Sequence, residues 1–317
     1  MNIENFKDFV RRNTTEFTLL IVLAVIWGAL GFIIPVFLSY PNLFNLARQT
    51  AVIGVVSIGM TLVMIAGHID LSVGSYVAVS GVTVSLLLTA GYSIPVAFLL
   101  TLLLMAGLGT IVAVAVQEGG VPSFIAGLGM MSAARGFALL LTGGRIISGL
   151  PIEFTGLART DFLGIPGLFL VLLALMFLAD FVLRKTKFGR NLYTLGSGTE
   201  VAKLSGIRLR INTYAIFIIN ALISGLAGIM LAARLSSGVP SAGQMYELDA
   251  IAAVIIGGAS LSGGAGGVYG TLLGALLMGT LRNGGNLLGL DPFYMQIATG
   301  VVVVVAVFVD QLRKRGE

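Results

Sequence analysis

Residues 184–212 read Arg184-Lys185-Thr186-Lys187-Phe188-Gly189-Arg190-Asn191-Leu192-Tyr193-Thr194-Leu195-Gly196-Ser197-Gly198-Thr199-Glu200-Val201-Ala202-Lys203-Leu204-Ser205-Gly206-Ile207-Arg208-Leu209-Arg210-Ile211-Asn212. They form a long polar, basic stretch between segments of nearly pure hydrocarbon. Charges and unpaired backbone groups are too costly to leave in lipid, so this stretch must face water. It carries seven Lys/Arg, and such residues collect on cytoplasmic loops. The sequence therefore predicts a polytopic membrane chain with residues 184–212 as a cytoplasmic loop.

Composition agrees. The 317 residues are 57% hydrophobic and 10% charged, with mean hydropathy +1.01, whereas soluble domains carry about 25% charged residues. The net charge of +5 sits at the chain ends and in the loop, so it reads as topology and not as nucleic-acid binding. There is no cysteine and a single histidine, which excludes disulfides and Cys/His metal centres. No G-x-x-x-x-G-K-[ST] phosphate loop occurs, so any ATP must be bound by another chain. The first apolar segment follows Lys7, Arg11 and Arg12 and has no small-residue cleavage site, which predicts an uncleaved first span.

At roughly 20 apolar residues per crossing, spans fall near 17–36, 50–67, 71–90, 94–116, 122–142, 166–183, 213–235, 249–262, 267–288 and 292–310. Those at 71–90 and 249–262 abut glycine-rich turns and are candidates for broken or re-entrant helices. Ten spans place both termini on one side. Of the 19 Lys/Arg, 13 lie near the N-terminus, in 184–212 and at 313–315, all on that side; Arg48, Arg145 and Arg159 fall to the outer loops. The expected fold is all-α, one transmembrane domain over residues 1–317. Its two four-helix halves, about 50–142 and 213–310, run inverted to each other. Small residues at four-residue spacing, Gly266/Gly270/Gly274 and Ala221/Gly225, predict close helix packing within one bundle.

Polar groups among the spans are the candidate site residues. Asp70 and Ser72 sit between two apolar segments. Three uses are open to Asp70: capping the helix that starts at Leu71, a place on a solute path, or a proton relay with His68. Asn283, Asn286, Arg282 and Gln296 must point inward, where amides can meet a sugar's hydroxyls or bond helix to helix. Arg135, in the fifth span, either snorkels or pairs. Arg145, Glu153 and Arg159, together with Gln244 and Glu247, lie on loops expected outside, where a soluble protein can land. Asp249 is read as a helix cap.

Taken together, several motifs resemble the membrane-spanning permease subunit of ribose-type ABC sugar importers, from about residue 40 onward. They are Gly67-His68-Ile69-Asp70-Leu71-Ser72-Val73-Gly74, Arg135-Gly136 with Thr142-Gly143-Gly144, Phe188-Gly189-Arg190 with Leu204-Ser205-Gly206-Ile207, Tyr246 to Gly258, and Asn283-Gly284 to Gly289. His68 departs from the glycine common there. The resemblance implies a type II ABC importer-like bundle that pairs with a second permease subunit, identical or paralogous. It implies docking of a periplasmic sugar-binding protein, and ATP-binding-cassette subunits that grip the loop. No catalysis or cofactor is expected in this chain, with ATP and magnesium in the partner. Phe188, Gly189, Arg190, Gly196, Glu200, Lys203, Ser205 and Gly206 would then meet the ATPase, and Asp70, Ser72, Asn283, Asn286 and Gln296 would line the path. The implied location is the bacterial inner membrane, with both termini cytoplasmic. The rival from another class is an ion-coupled secondary transporter acting alone; among importers, inositol, an autoinducer or a nucleoside are alternative solutes.

Overall fold

The computed structural model describes residues 14–315, and the side chains of all of these except 292, 309 and 312–315. Lys7, Arg11 and Arg12 lie outside the described residues. Five helices come first: α1 (Thr14–Ile33), α2 (Tyr40–Ile65), α3 (Val73–Thr89), α4 (Ile94–Gln117) and α5 (Ser123–Thr142). A folded connection follows, with α6 (Ile152–Gly156) and a two-residue hairpin, β1 (Asp161–Phe162) against β2 (Ile165–Pro166), paired Asp161 to Pro166 and Phe162 to Ile165. Then come α7 (Gly167–Lys185), α8 (Lys187–Ser197), α9 (Thr199–Leu204), α10 (Leu209–Leu235), α11 (Tyr246–Ile256), α12 (Val268–Leu287) and α13 (Pro292–Arg315). Each of the ten expected spans has a helix, and α1, α2, α4, α5, α7 and α10 are long and apolar enough to cross a membrane.

Local chemistry sets the ends. Proline falls in the first turn of α2 and α4, where its missing N–H costs nothing. Asp291 Oδ1 accepts the N–H of Phe293 at 2.9 Å and opens α13. Gly143 closes α5 in the left-handed conformation at φ 59°.

Two helices differ from expectation. α2 starts at Tyr40 and not near 50, because Asn42, Asn45, Arg48 and Gln49 depress the hydropathy of turns whose Asn42 and Leu46 are nevertheless buried. Arg48 therefore belongs to a helix and not to an outer loop. α11 ends at Ile256, and the chain continues without helix through 257–267, with Gly258, Gly263, Gly264 and Gly266 all at positive φ. Asp249 lies inside α11 and is not its cap; Met245, at φ 67°, precedes the helix, and the Asp249 carboxylate turns to Arg282.

α2 and α10 form the centre. α10 packs on α2, α3 and α4, while α2 also meets α7, α11 and α12. Small residues make this possible, as expected. A Cβ at Gly109 would meet Phe217 O at 2.7 Å and Ala221 Cβ at 2.8 Å; one at Gly270 would strike Gly257 O, and one at Gly274 would strike Ala253 O. Polar bonds tie the helices across these contacts. Asn42 and Asn283 exchange amide bonds at 3.0 and 2.9 Å, Thr61 and Thr271 hydroxyls meet at 2.8 Å, and Trp27 Nε1 donates to Thr280 Oγ1 at 3.0 Å.

Candidate functional site

Between α2 and α3 the chain leaves helix at 66–72 while still inside the bundle. Asp70 is wholly buried there. Its Oδ1 accepts the Ser72 N–H at 2.9 Å and the Ser72 hydroxyl, and its Oδ2 accepts Asn220 Nδ2 of α10 at 2.9 Å. Asp70 thus closes a turn ahead of α3 and ties that turn to the central helix; it is not the helix cap, because α3 opens at Val73 with Ser72 at the cap position and no side-chain cap bond. Asp70 and Ser72 are both wholly buried in this network. Two glycines make room for it: a Cβ at Gly127 would meet Leu71 N at 2.7 Å, and one at Gly59 would meet Asn220 Oδ1 at 2.5 Å. His68 packs against the Phe217 ring at 5.6 Å between centroids.

Arg135 of α5 neither snorkels nor relies on a single acid. Its guanidinium donates to Pro240 O at 3.0 Å, Ala242 O at 2.6 Å and Gly74 O at 3.3 Å, with Glu247 contributing an electrostatic attraction. It clamps the connection before α11 onto the first turn of α3. There the backbones touch: a Cβ at Gly243 would meet Gly74 O at 2.5 Å, and one at Gly74 would strike Gly243 O.

A cavity of about 370 Å³ lies where α2, α10, α12 and α13 meet the 244–246 segment, within the range of small-molecule pockets, about 300–1,000 Å³. Its polar lining includes Gln49, Arg234, Gln244, Arg282, Asn286 and Gln296. Arg282 is ion-paired with buried Asp249 and stands 5.6 Å from the Tyr246 ring centroid. Of the residues assigned to a path, Asn286 and Gln296 line this cavity. Asn283 does not: it is buried in its pair with Asn42 and serves helix–helix bonding. Gln244, placed on an outer docking loop, lines the cavity too. Arg145, Glu153 and Arg159 remain exposed along the 143–166 connection, which is ordered by buried Phe154 against Phe98.

The basic loop is built as two helices. Thr186 caps α8, its hydroxyl accepting Gly189 N–H at 3.1 Å, and Gly189 is wedged where a Cβ would strike Leu183 O. Phe188 is half-buried and Arg190 exposed. Leu192 and Leu195 anchor α8 in the core. α9 turns outward: Val201 is 49% and Leu204 90% exposed, beside an exposed Lys203–Glu200 pair at 3.1 Å. Ser205 and Gly206, the latter at φ 71°, end α9 at the surface.

At the other end of α8, Gly196 enters the bundle. A Cβ there would strike Ile65 O and Gly264 N. A Cβ on Gly263 would meet Gly196 Cα at 2.7 Å and Gly67 Cα at 2.8 Å. Gly264 N–H donates to Ile65 O at 2.9 Å, and the Tyr193 hydroxyl donates to Gly266 O at 2.9 Å. Burial pushes the Tyr193 phenol up, opposed by Arg184 and helped by Asp180, so it stays a donor throughout the neutral range.

Sequence reasoning missed Tyr193, Asn220 and Gln49. Asn220 carried a signal, a lone amide in the apolar run Phe217-Ile218-Ile219-Asn220-Ala221; Tyr193 and Gln49 carried none.

Known proteins match this arrangement over most of its length. The ribose import permease protein RbsC of Bacillus subtilis (strain 168) is 40% identical over 306 residues, 96% of this chain and 94% of the relative. The ribose import permease protein RbsC of Escherichia coli (strain K12) is 38% identical, with 93% of each chain covered. The xylose transport system permease protein XylH of Haemophilus influenzae is 33% identical, over 96% of this chain and 98% of the relative. No solved structure gives a significant match. The family model described as branched-chain amino acid transport system / permease component matches residues 42–309, and the chain belongs to this family of membrane transport permeases.

Proposed function

We propose that the chain is the permease subunit of an ATP-driven importer for a monosaccharide of the ribose type. It pairs with a second permease subunit, receives the sugar from a periplasmic binding protein, and is driven by separate ATP-binding-cassette subunits that hold ATP and magnesium. It lies in the bacterial inner membrane with both termini and residues 184–212 in the cytoplasm, the side that the Lys/Arg distribution favours. The relatives' roles in ribose and xylose transport support the solute class.

The build of the 184–212 loop carries this reading. α9 presents Val201 and Leu204 to solvent, an apolar tip suited to a protein partner, while α8 is anchored by Leu192 and Leu195. Gly189, bonded to Thr186, fixes the turn into α8, with Phe188 half-buried and Arg190 exposed beside it, and Glu200, Lys203, Ser205 and Gly206 surround the tip. Gln49, Gln244, Asn286 and Gln296 equip the cavity to meet a sugar on its path, because amides both donate to and accept from hydroxyls. Arg145, Glu153, Arg159 and Glu247 are assigned to the side that meets the binding protein.

The test is ribose-stimulated ATP hydrolysis in liposomes holding permease, cassette subunits and binding protein. Uptake by the permease alone, driven by an ion gradient, would overturn the reading. So would full coupling after residues 193–206 are replaced by a flexible linker.

A further inference from the structure

We propose that Tyr193 and Gly196, at the end of α8, are positioning residues that pass motion of the 184–212 loop into both helical halves at a single point. The proposal rests on the reading of that loop as the ATPase-facing element.

Three segments converge there. Residues 65–67 end the first helix of one half, residues 263–266 lead into α12 of the other, and Gly196 lies between them. The two breaks are bonded directly through Gly264 N–H and Ile65 O. Gly196 is helical, so it needs glycine for space and not for backbone angle. Contact through bare backbone has no side chain that can flex, and close-packed groups transmit displacement. Tyr193 adds a directional bond to Gly266 O of the second break. Each break is in turn tied to deeper groups. The 66–72 segment reaches α10 through Asp70 and Asn220, and the 257–267 segment continues from α11, whose Asp249 pairs with Arg282 at the cavity. A shift of the α8 terminus therefore displaces both routes together.

The two residues allow separate perturbations. Y193F removes a bond and leaves the ring; G196A adds volume against Ile65 O and Gly264 N. The chain has no cysteine, so Q296C places one thiol of this chain at the cavity. The permease–cassette complex in lipid nanodiscs is labelled with a maleimide, with and without ATP plus vanadate, and the bound cassette subunit is quantified alongside. We expect the labelling rate to respond to nucleotide in the parent complex. Y193F should cut that response about fivefold, the size expected when one hydrogen bond is lost from a two-state balance. G196A should cut it further, with cassette binding retained in both.

A purely structural role would lower yield or cassette binding without changing the response per assembled complex. An unchanged response in Y193F overturns the proposal even if G196A fails to assemble. A response lost only in proportion to cassette binding overturns it as well. A parent complex that ignores nucleotide removes the ATPase-facing reading itself, and the assignment falls with it.

Discussion

Asp70 and Asn220, 150 residues apart in sequence, meet through a 2.9 Å hydrogen bond in the dry interior, amide to carboxylate. The bond holds the turn before α3 against the central helix. Asn220→Leu removes the donor and leaves Oδ2 of a buried carboxylate without it, a defect of about 1–3 kcal/mol. The variant should melt at a lower temperature in detergent, read by the loss of monodisperse protein on heating. A melting point equal to the parent's would show that the bond contributes nothing. Asn220→Asp should be worse, since it sets two carboxylates together.

Glycines at crossings should differ sharply from glycines on open faces. Gly274→Val must push α11 from α12, because even a Cβ strikes Ala253 O, and overpacking of this kind costs about 1–3 kcal/mol or more. Gly129, within α5, has nothing within 4 Å of a Cβ. Gly129→Ala should be neutral or stabilising by up to about 1 kcal/mol. Folded yield and thermal midpoints of the two variants check the contrast, and equal losses would refute it.

The tip of α9 should act in binding and not in folding. Leu204 is 90% exposed, so Leu204→Asp should leave the melting temperature alone. It should weaken capture of the cassette subunit roughly 10- to 30-fold, as for an interface hot spot. Exchanging the exposed Glu200 and Lys203 should change stability by less than about 1 kcal/mol. Co-purification under graded salt separates these effects.

Asn286→Leu and Gln296→Leu each remove an amide from the cavity wall while roughly keeping volume. Each should raise the KM for ribose uptake about 2- to 10-fold, the worth of one hydrogen bond, with little change in thermal midpoint. Asn283→Leu, a few residues away, should instead destabilise the protein through its buried partner Asn42. If all three behaved alike, the division between wall and scaffold would fail.

Much of this architecture was legible from residue type. Runs of hydrocarbon located the ten helices, since only helix satisfies the backbone in lipid. Charge singled out the 184–212 loop, and small residues marked the α10 and α12 contacts. What stayed hidden depends on partners distant in sequence. Asp70 was open to a cap, a solute path or a relay with His68 until Asn220 was beside it. Asn283 and Asn286 look alike in sequence, yet one faces Asn42 and the other the cavity. Arg135 lacked a visible partner because its partners are backbone carbonyls, which no sequence pattern marks. Asp249 resembled a cap because a short acidic residue before an apolar run commonly is one; the positive φ of Met245 moved the helix start upstream.

The shortness of α11 has an electrical consequence. Its 11 residues, at about 1.5 Å rise each, cover about half of a hydrocarbon layer roughly 30 Å thick. On the proposed topology the remaining insulation along that line falls to residues 257–267, where Ser260 N–H closes on Ala265 O at 3.1 Å. Loosening them would admit water and then protons. Damage at this seam should reach the cell as a leak that drains its proton gradient, harming growth in any medium and not only where the imported nutrient is needed.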